Sequence, residues 1–368
     1  MIPFLLIFLL TIYAFQVWSR KHALKGIRYD SRLSKKMIEP EEEVELISTV
    51  TNESRRFVPF VRMVENLPKG VRPLSKNVQV KEDFLGLGNF SFNSTIYLMP
   101  RSRVKRKLRL TFPKRGHYLF QGAELHGGDF IGFFEERKPF KELNELIVYP
   151  NPLESPQLHT VMGGFLGDIS VRRFMMEDPV LTIGAREYTG RESWNQISWK
   201  ATARTNKLMV KQYDYTTELV VTAVLDVSPA VGKVIHDEEF ERCYSLMRSV
   251  CQYLEKKNIE FDFASNARLA GMDRDKKHLQ SGVGKQHLRG ILELLGRASY
   301  GTFQTFEKTL ESVILPQASA RSVIWVMPQR DPYKEKAIQE AFDHSGSQIT
   351  FIYGEDYYDI SQGLKTHL

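Results

Sequence analysis

Three kinds of hydrophobic pattern follow one another along this chain. Residues 2–18 (IPFLLIFLLTIYAFQVW) are apolar apart from Thr11 and Gln16. As a helix such a run rises about 25 Å, which with its flanking residues suffices to cross a hydrocarbon core. It predicts a transmembrane helix over residues 1–19. Strict alternation then takes over. VELISTVTNES, FVPFVRMVENL, FSFNSTIYLMP, RVKRKLRLTF, GHYLFQGAELHG and ELIVYP are separated by turns containing Gly, Pro or Asn. Period-2 segments about ten residues apart predict an antiparallel β-sandwich, placed over residues 25–152. From residue 218 the apolar runs become continuous, in ELVVTAVLDVS, IEFDFAS, SVIWVMP and QITFIYG. Such strands are buried on both faces. Helical periodicity separates them, as in residues 238–258, where Phe240, Cys243, Leu246, Met247, Val250 and Leu254 share one face. Strands alternating with helices predict a parallel, doubly wound sheet over residues 218–368. Residues 153–217 are left as a linking segment. The expected architecture is therefore α+β and multidomain.

The length of 368 residues fits two or three domains, and 42% apolar with 26% charged residues is a globular composition. Fifty-one Lys and Arg against 44 Asp and Glu leave a net charge of +7. A surplus of this size does not point to nucleic acid, and none is expected as a partner. The first apolar run is followed by Arg20, Lys21, Lys25 and Arg28 and preceded by no basic residue. The positive-inside rule then places the bulk of a single-pass chain in the cytoplasm. A cleaved signal peptide would need the opposite flanks. Cys243 and Cys251 fall eight positions apart on one helix. That spacing is about 12 Å along the axis, too far for a disulfide.

Residues 101–115 carry a dense basic strand. Arg103, Lys105, Lys107 and Arg109 share one face, opposite Val104, Leu108 and Leu110. A solvated face that protects a sheet edge accounts for this better than a lipid contact. Residues 265–286 are polar and read as a loop. Their Gly282-Val283-Gly284-Lys285 lacks both the first glycine and the hydroxyl residue of a phosphate-binding loop. No catalytic constellation is present, so the chain is not expected to be an enzyme.

Two places carry candidate chemistry. Asp226-Val227-Ser228 ends the first continuous strand, where ligands of open α/β sheets bind. A carboxylate and a hydroxyl two residues apart suit a hard cation such as Mg2+, but Ala230 cannot supply the next hydroxyl. Asp226 bonded to its own following loop is the alternative. The second place is residues 184–215, where Tyr188, Trp194, Trp199, Tyr213 and Tyr215 are interleaved with Arg186, Glu187, Arg191, Glu192, Lys200, Arg204, Lys207 and Lys211. Aromatics and charge pairs of this density predict a buried ion-pair network fixing one folded region against the next. An interaction surface is the alternative.

Arg186-Glu187-Tyr188, Gly190, Glu192, Ile197, Trp199-Lys200 and Ala203-Arg204 with Leu208 form the most specific motif of the chain. On these residues it resembles bacterial membrane proteins of the "domain of unknown function 58" family. Arg115-Gly116-x-Tyr118, Asp129-Phe130-x-Gly132, Val148-Tyr149-Pro150 and Leu225-Asp226 support the match. The resemblance implies a β-sandwich followed by a von Willebrand factor A-like domain. It implies no catalytic activity and no cofactor beyond Mg2+ at a degenerate site. It implies association with a MoxR-type AAA+ ATPase, and with a transglutaminase-like membrane protein, in envelope or complex-assembly processes. The expected function is a membrane-anchored interaction or scaffold protein. The competing expectation is a divalent-metal-dependent binding protein or hydrolase using Asp226 and Ser228.

Overall fold

The structure is a computed structural model that describes residues 11, 24–74, 80–82, 90–128, 135–175, 178–190, 192–214, 220–271, 278–314, 322–343 and 347–357. The chain divides into two compact units. The first comprises Met1–Asn151 with Leu269–Gly271 and Leu292–Ser299, and the second comprises the remainder.

The first unit follows the alternation read from the sequence. Its strands are β1 (Ile27–Leu33), β2 (Met37–Ile38), β3 (Val44–Asn52), β4 (Val58–Leu67), β5 (Arg72–Pro73), β6 (Val80–Glu82), β7 (Phe90–Leu98), β8 (Arg103–Thr111), β9 (Gly116–Phe120), β10 (Ala123–Gly128), β11 (Glu135–Phe140) and β12 (Asn144–Val148). They form sheets in the orders β1-β3-β8-β5, β11-β10-β4-β7-β6 and β2-β12-β9. Register in β3 and β8 pairs Val44 with Leu110, Leu46 with Leu108 and Val50 with Val104. The intervening Arg103, Lys105, Lys107 and Arg109 are all exposed. The inward residues meet those of the second sheet. One core joins Ile27, Tyr29 and Val50 to Val61, Met63, Leu98 and Leu125, and another joins Val44, Leu46, Leu108 and Leu110 to Leu67 and Phe92. Each such buried aliphatic contributes about 1.5–3 kcal/mol of transfer free energy. The unit is β-sandwich-like, as the two-residue period requires.

Arg106 breaks that pattern by standing on the inward row, opposite Ser48. Its guanidinium lies 3.8 Å from the Phe92 ring centre. Nearby, buried Glu65 accepts hydrogen bonds from the Tyr29 hydroxyl at 3.0 Å and from Ser48 Oγ. Burial first, and the Glu65 charge second, push the Tyr29 hydroxyl well above its ordinary pKa. At the end of the unit, Glu145 forms a bidentate pair with Arg297, at 2.8 and 3.1 Å, and meets His117 Nε2 at 3.0 Å.

The second unit begins with a helix that the sequence did not foretell. Helix α1 (Pro156–Met175) lies in the segment expected to be a linker. It buries Leu158, Met162 and Phe165, at i, i+4 and i+7. Gly163, Gly164 and Gly167 interrupt the pattern and lower helix propensity, which concealed it. A two-stranded sheet follows, from β13 (Asp178–Glu187) and β14 (Met209–Asp214), with helix α2 (Trp199–Thr205) between them. The main sheet then uses β15 (Val220–Leu225), β16 (Glu260–Ser265), β18 (His278–Gly282), β20 (Ser322–Met327) and β21 (Gln348–Tyr353), in the order β18-β16-β15-β20-β21. Helices α3 (Asp237–Lys256), α4 (Lys285–Arg297), α5 (Phe306–Ile314) and α6 (Pro332–Asp343) alternate with these strands, and β17 (Ala267–Leu269) pairs with β19 (Ala298–Thr302); Leu269, the part of α4 from Leu292 on, and Ala298 and Ser299 of β19 count with the first unit.

The expected fold class and location are corrected here. The main sheet is mixed rather than the predicted parallel von Willebrand factor A-like sheet, because β18 runs antiparallel to β16 at one edge. That strand lies in the stretch read as a loop, where its polar LQSG residues gave no strand signal. Among the described residues, antiparallel pairings predominate. Among the described residues, no helix is long and apolar enough to cross a membrane. Of the two longest, α1 carries Asp168, Arg172 and Arg173 in its second part, and α3 carries charged residues along its length. The predicted transmembrane helix over residues 1–19 lies, except for Thr11, outside the described residues. The single-pass, membrane-anchored localisation is withdrawn on these grounds.

Candidate functional site

The two sequence-nominated places both fall in the second unit. The first is the C-terminal end of β15. Parallel pairing with β16 and β20 brings Asp226 beside the ends of both neighbours, and its amide donates to the Val326 carbonyl at 2.9 Å. Asp226 Oδ1 accepts from the Ser228 amide at 2.8 Å, from Ser228 Oγ and from Asn266 Nδ2. Asn266 Oδ1 in turn accepts from the Val227 amide at 2.8 Å. One carboxylate oxygen therefore organises the turn after the strand, as the alternative reading of Asp226 anticipated.

The other oxygen faces a residue that local sequence reasoning missed. Lys334 Nζ donates to Asp226 Oδ2 at 3.0 Å, to the Ser228 carbonyl at 2.9 Å and to Ser228 Oγ at 2.7 Å. Lys334 sits in the first turn of α6. Pro332 opens that helix, and Asp331 caps it by accepting from the Tyr333 and Lys334 amides at 3.0 and 3.4 Å. Asp331 also accepts from the Val231 amide at 3.3 Å, which ties the loop after β15 to the helix start. The Lys334 ammonium lies 5.5 Å from the Phe306 ring centre.

This donor set does not fit the expected Mg2+. The proposed ligands, Asp226 and Ser228, present their oxygens to an ammonium, and Ala230 is buried without contributing a donor. Among the described residues no group of three His, Cys, Asp or Glu side chains converges as a metal site. Nor does the 2.7 Å Ser228–Lys334 contact make a nucleophile and base. All three ammonium protons are directed at oxygens, and a base needs a free lone pair.

The second place is the aromatic and basic stretch. Glu187 closes β13, and Tyr188 continues the pairing by donating its amide to Leu208 O at 2.9 Å. Gly190 has φ of +90°, a conformation that favours glycine, and it lets the chain turn back. Glu192 then accepts from the Thr189 amide at 3.0 Å, from Thr189 Oγ1 at 2.7 Å and from Arg186 Nη1 at 2.5 Å. The Thr189 hydroxyl above all, with Arg186 behind it, pulls the Glu192 carboxyl down to about 2. Lys207 Nζ pairs with Glu187 Oε1 at 2.6 Å, and that bond raises the lysine's pKa. Among the described residues of the stretch, Ile197 and Val210, joined by a bridge, are the ones with buried side chains.

The buried network expected here is not what the structure contains. Arg186, Glu187, Gly190, Lys200 and Arg204 are exposed, and Tyr188 is half-buried, its ring 6.4 Å from that of Trp194. Trp194 and Trp199 are 67% and 64% exposed. Arg191 and Tyr215 lie outside the described residues, as do the side chain of Tyr213 and the supporting motif residues Asp129, Phe130 and Gly132. The motif residues thus come together on a small folded surface.

No family model and no curated protein matches the chain. Among solved structures, a cohesin module of a Clostridium perfringens family 33 glycoside hydrolase is 10% identical, covers 33% of this chain and 96% of its own, and gives a TM-score of 0.23. The CARDB domain of PF1109 from Pyrococcus furiosus is 14% identical, with coverages of 33% and 94% and a TM-score of 0.22. Likeness of this size supports no inference about the chain.

Proposed function

We propose that the chain is a non-enzymatic interaction module, whose partner-facing surface is the motif of residues 186–207. The observation that supports this reading is the exposure of Trp194 and Trp199 beside charges that are already paired with one another. Indole rings left in water forgo a large burial free energy, and such rings are the commonest anchors of protein interfaces. The Arg186–Glu192 and Lys207–Glu187 pairs hold the surface in shape around them. A MoxR-type AAA+ ATPase is the partner, on the strength of the family resemblance carried by these same residues.

The test is direct binding. The purified full chain and a purified MoxR-type AAA+ ATPase should co-elute in size-exclusion chromatography, and Trp199→Ala should weaken binding by about tenfold or more. Separate elution, or an affinity indifferent to both Trp194→Ala and Trp199→Ala, overturns the reading.

A further inference from the structure

We infer that the ammonium of Lys334 is the resident cation at the end of β15, so that the chain fills from within a site it would otherwise offer to a metal ion. Asp226 Oδ2, the Ser228 carbonyl and Ser228 Oγ all lie within 2.7–3.0 Å of Nζ. Both charged side chains are buried, at 0% and 7% exposure. An ammonium has three protons to place, and three oxygens receive them.

One carboxylate meets one ammonium, whereas a divalent ion at the same point would need further oxygens. The neighbours cannot supply them. Asn266 turns its amide nitrogen toward Asp226 and commits its oxygen to the Val227 amide. Asp331 is committed to the backbone amides of Val231, Tyr333 and Lys334. Ligand distances to Mg2+ are about 2.0–2.1 Å and to Ca2+ about 2.3–2.6 Å. The oxygens here are spread for a larger, singly charged group.

The placement depends on helix α6. Asp331 fixes the first turn, and Lys334 two residues after Pro332 then points under the loop that follows β15. The loop is thereby held without metal, and its order does not depend on divalent ions in the surroundings. Removing the ammonium leaves a carboxylate, a hydroxyl and a carbonyl around a vacated volume, which is the beginning of a Ca2+ or Mn2+ site completed by water.

The test uses the full chain and is independent of any partner. Thermal unfolding of the wild type should coincide in EDTA and in millimolar CaCl2 or MnCl2. Lys334→Ala should unfold at lower temperature in EDTA and recover by several degrees in at least one of the two salts, by mass action. The double variant Asp226→Asn/Lys334→Ala should show no such recovery. If Lys334→Ala does not fold in EDTA, refolding from urea should restore its circular dichroism only with the cation present. A cation-dependent rise in the wild type that Asp226→Asn abolishes overturns the inference. So does a folded Lys334→Ala that ignores both salts, or an unfolded one that neither salt rescues.

Discussion

Lys334 Nζ lies 3.0 Å from Asp226 Oδ2, although 108 residues of chain separate them, and neither side chain is more than 7% exposed. A buried pair of this kind is costly to break from one side, because the remaining charge stays buried without a partner. Lys334→Met should therefore lower stability by about 3–5 kcal/mol. Adding Asp226→Asn to it should return a large part of that loss. Urea unfolding of the two single variants and the double variant measures the coupling.

Trp199→Ala has a different expectation, since its indole is already in water. The change in unfolding free energy should stay within about 0.5 kcal/mol, as for surface substitutions generally. Denaturation midpoints of Trp194→Ala and Trp199→Ala check this. A large loss of stability would assign the indoles to folding rather than to binding.

Glu145 makes the first unit sensitive to acid. Its bond to Arg297, and next the bond to His117, bring its carboxyl from 4.5 down to about 2. A depressed carboxyl pKa adds stability that is present above about 4.5 and disappears as the pH falls toward 2. The side chain is 43% exposed, so solvent screening limits the effect to about 1 kcal/mol. Thermal unfolding between neutral pH and pH 3 should show this component in the wild type and not in Glu145→Gln.

The thiols should be silent until the chain unfolds. Cys243 and Cys251 are both fully buried and unpaired, and burial pushes both thiols well above their ordinary pKa. Raised values keep them protonated at neutral pH and as poor nucleophiles. Labelling with a thiol reagent should be negligible in native buffer and reach two equivalents in urea.

How much of this was legible in the sequence depends on the range of the forces involved. The inward row of β3, Val44, Leu46 and Val50, declares itself by local alternation. The apolar faces of α3 and the continuous runs of β15 and β20 are equally local. Helix α1 was hidden because Gly163, Gly164 and Gly167 weaken a signal that burial of Leu158, Met162 and Phe165 restores only after folding. Strand β18 was hidden because an edge strand needs little apolar surface. Asp226 and Ser228 were found from their position at a strand end. Lys334 was not, because nothing in PYKEKAIQ marks one lysine among several as buried. The motif around Trp199 was found, but its burial was misjudged. Local pattern gives the density of aromatics and charges, and only the tertiary fold decides how many of them face water.

The basic row on β8 carries a consequence for how copies of the chain meet. Among the described residues, β5 pairs with Leu110 and Thr111 of β8 and the Leu74 amide donates to the Arg109 carbonyl at 3.1 Å, while no described strand pairs with Arg103 to Lys107 on that side of the sheet. Open rims recruit strands from other molecules and seed fibres. Here a second copy laid alongside would bring Arg103, Lys105, Lys107 and Arg109 against their own counterparts. The same residues that leave this strand solvated act as gatekeepers against polymerisation, and exchanging them for threonine should make copies of the chain assemble edge to edge, read by light scattering against the wild type.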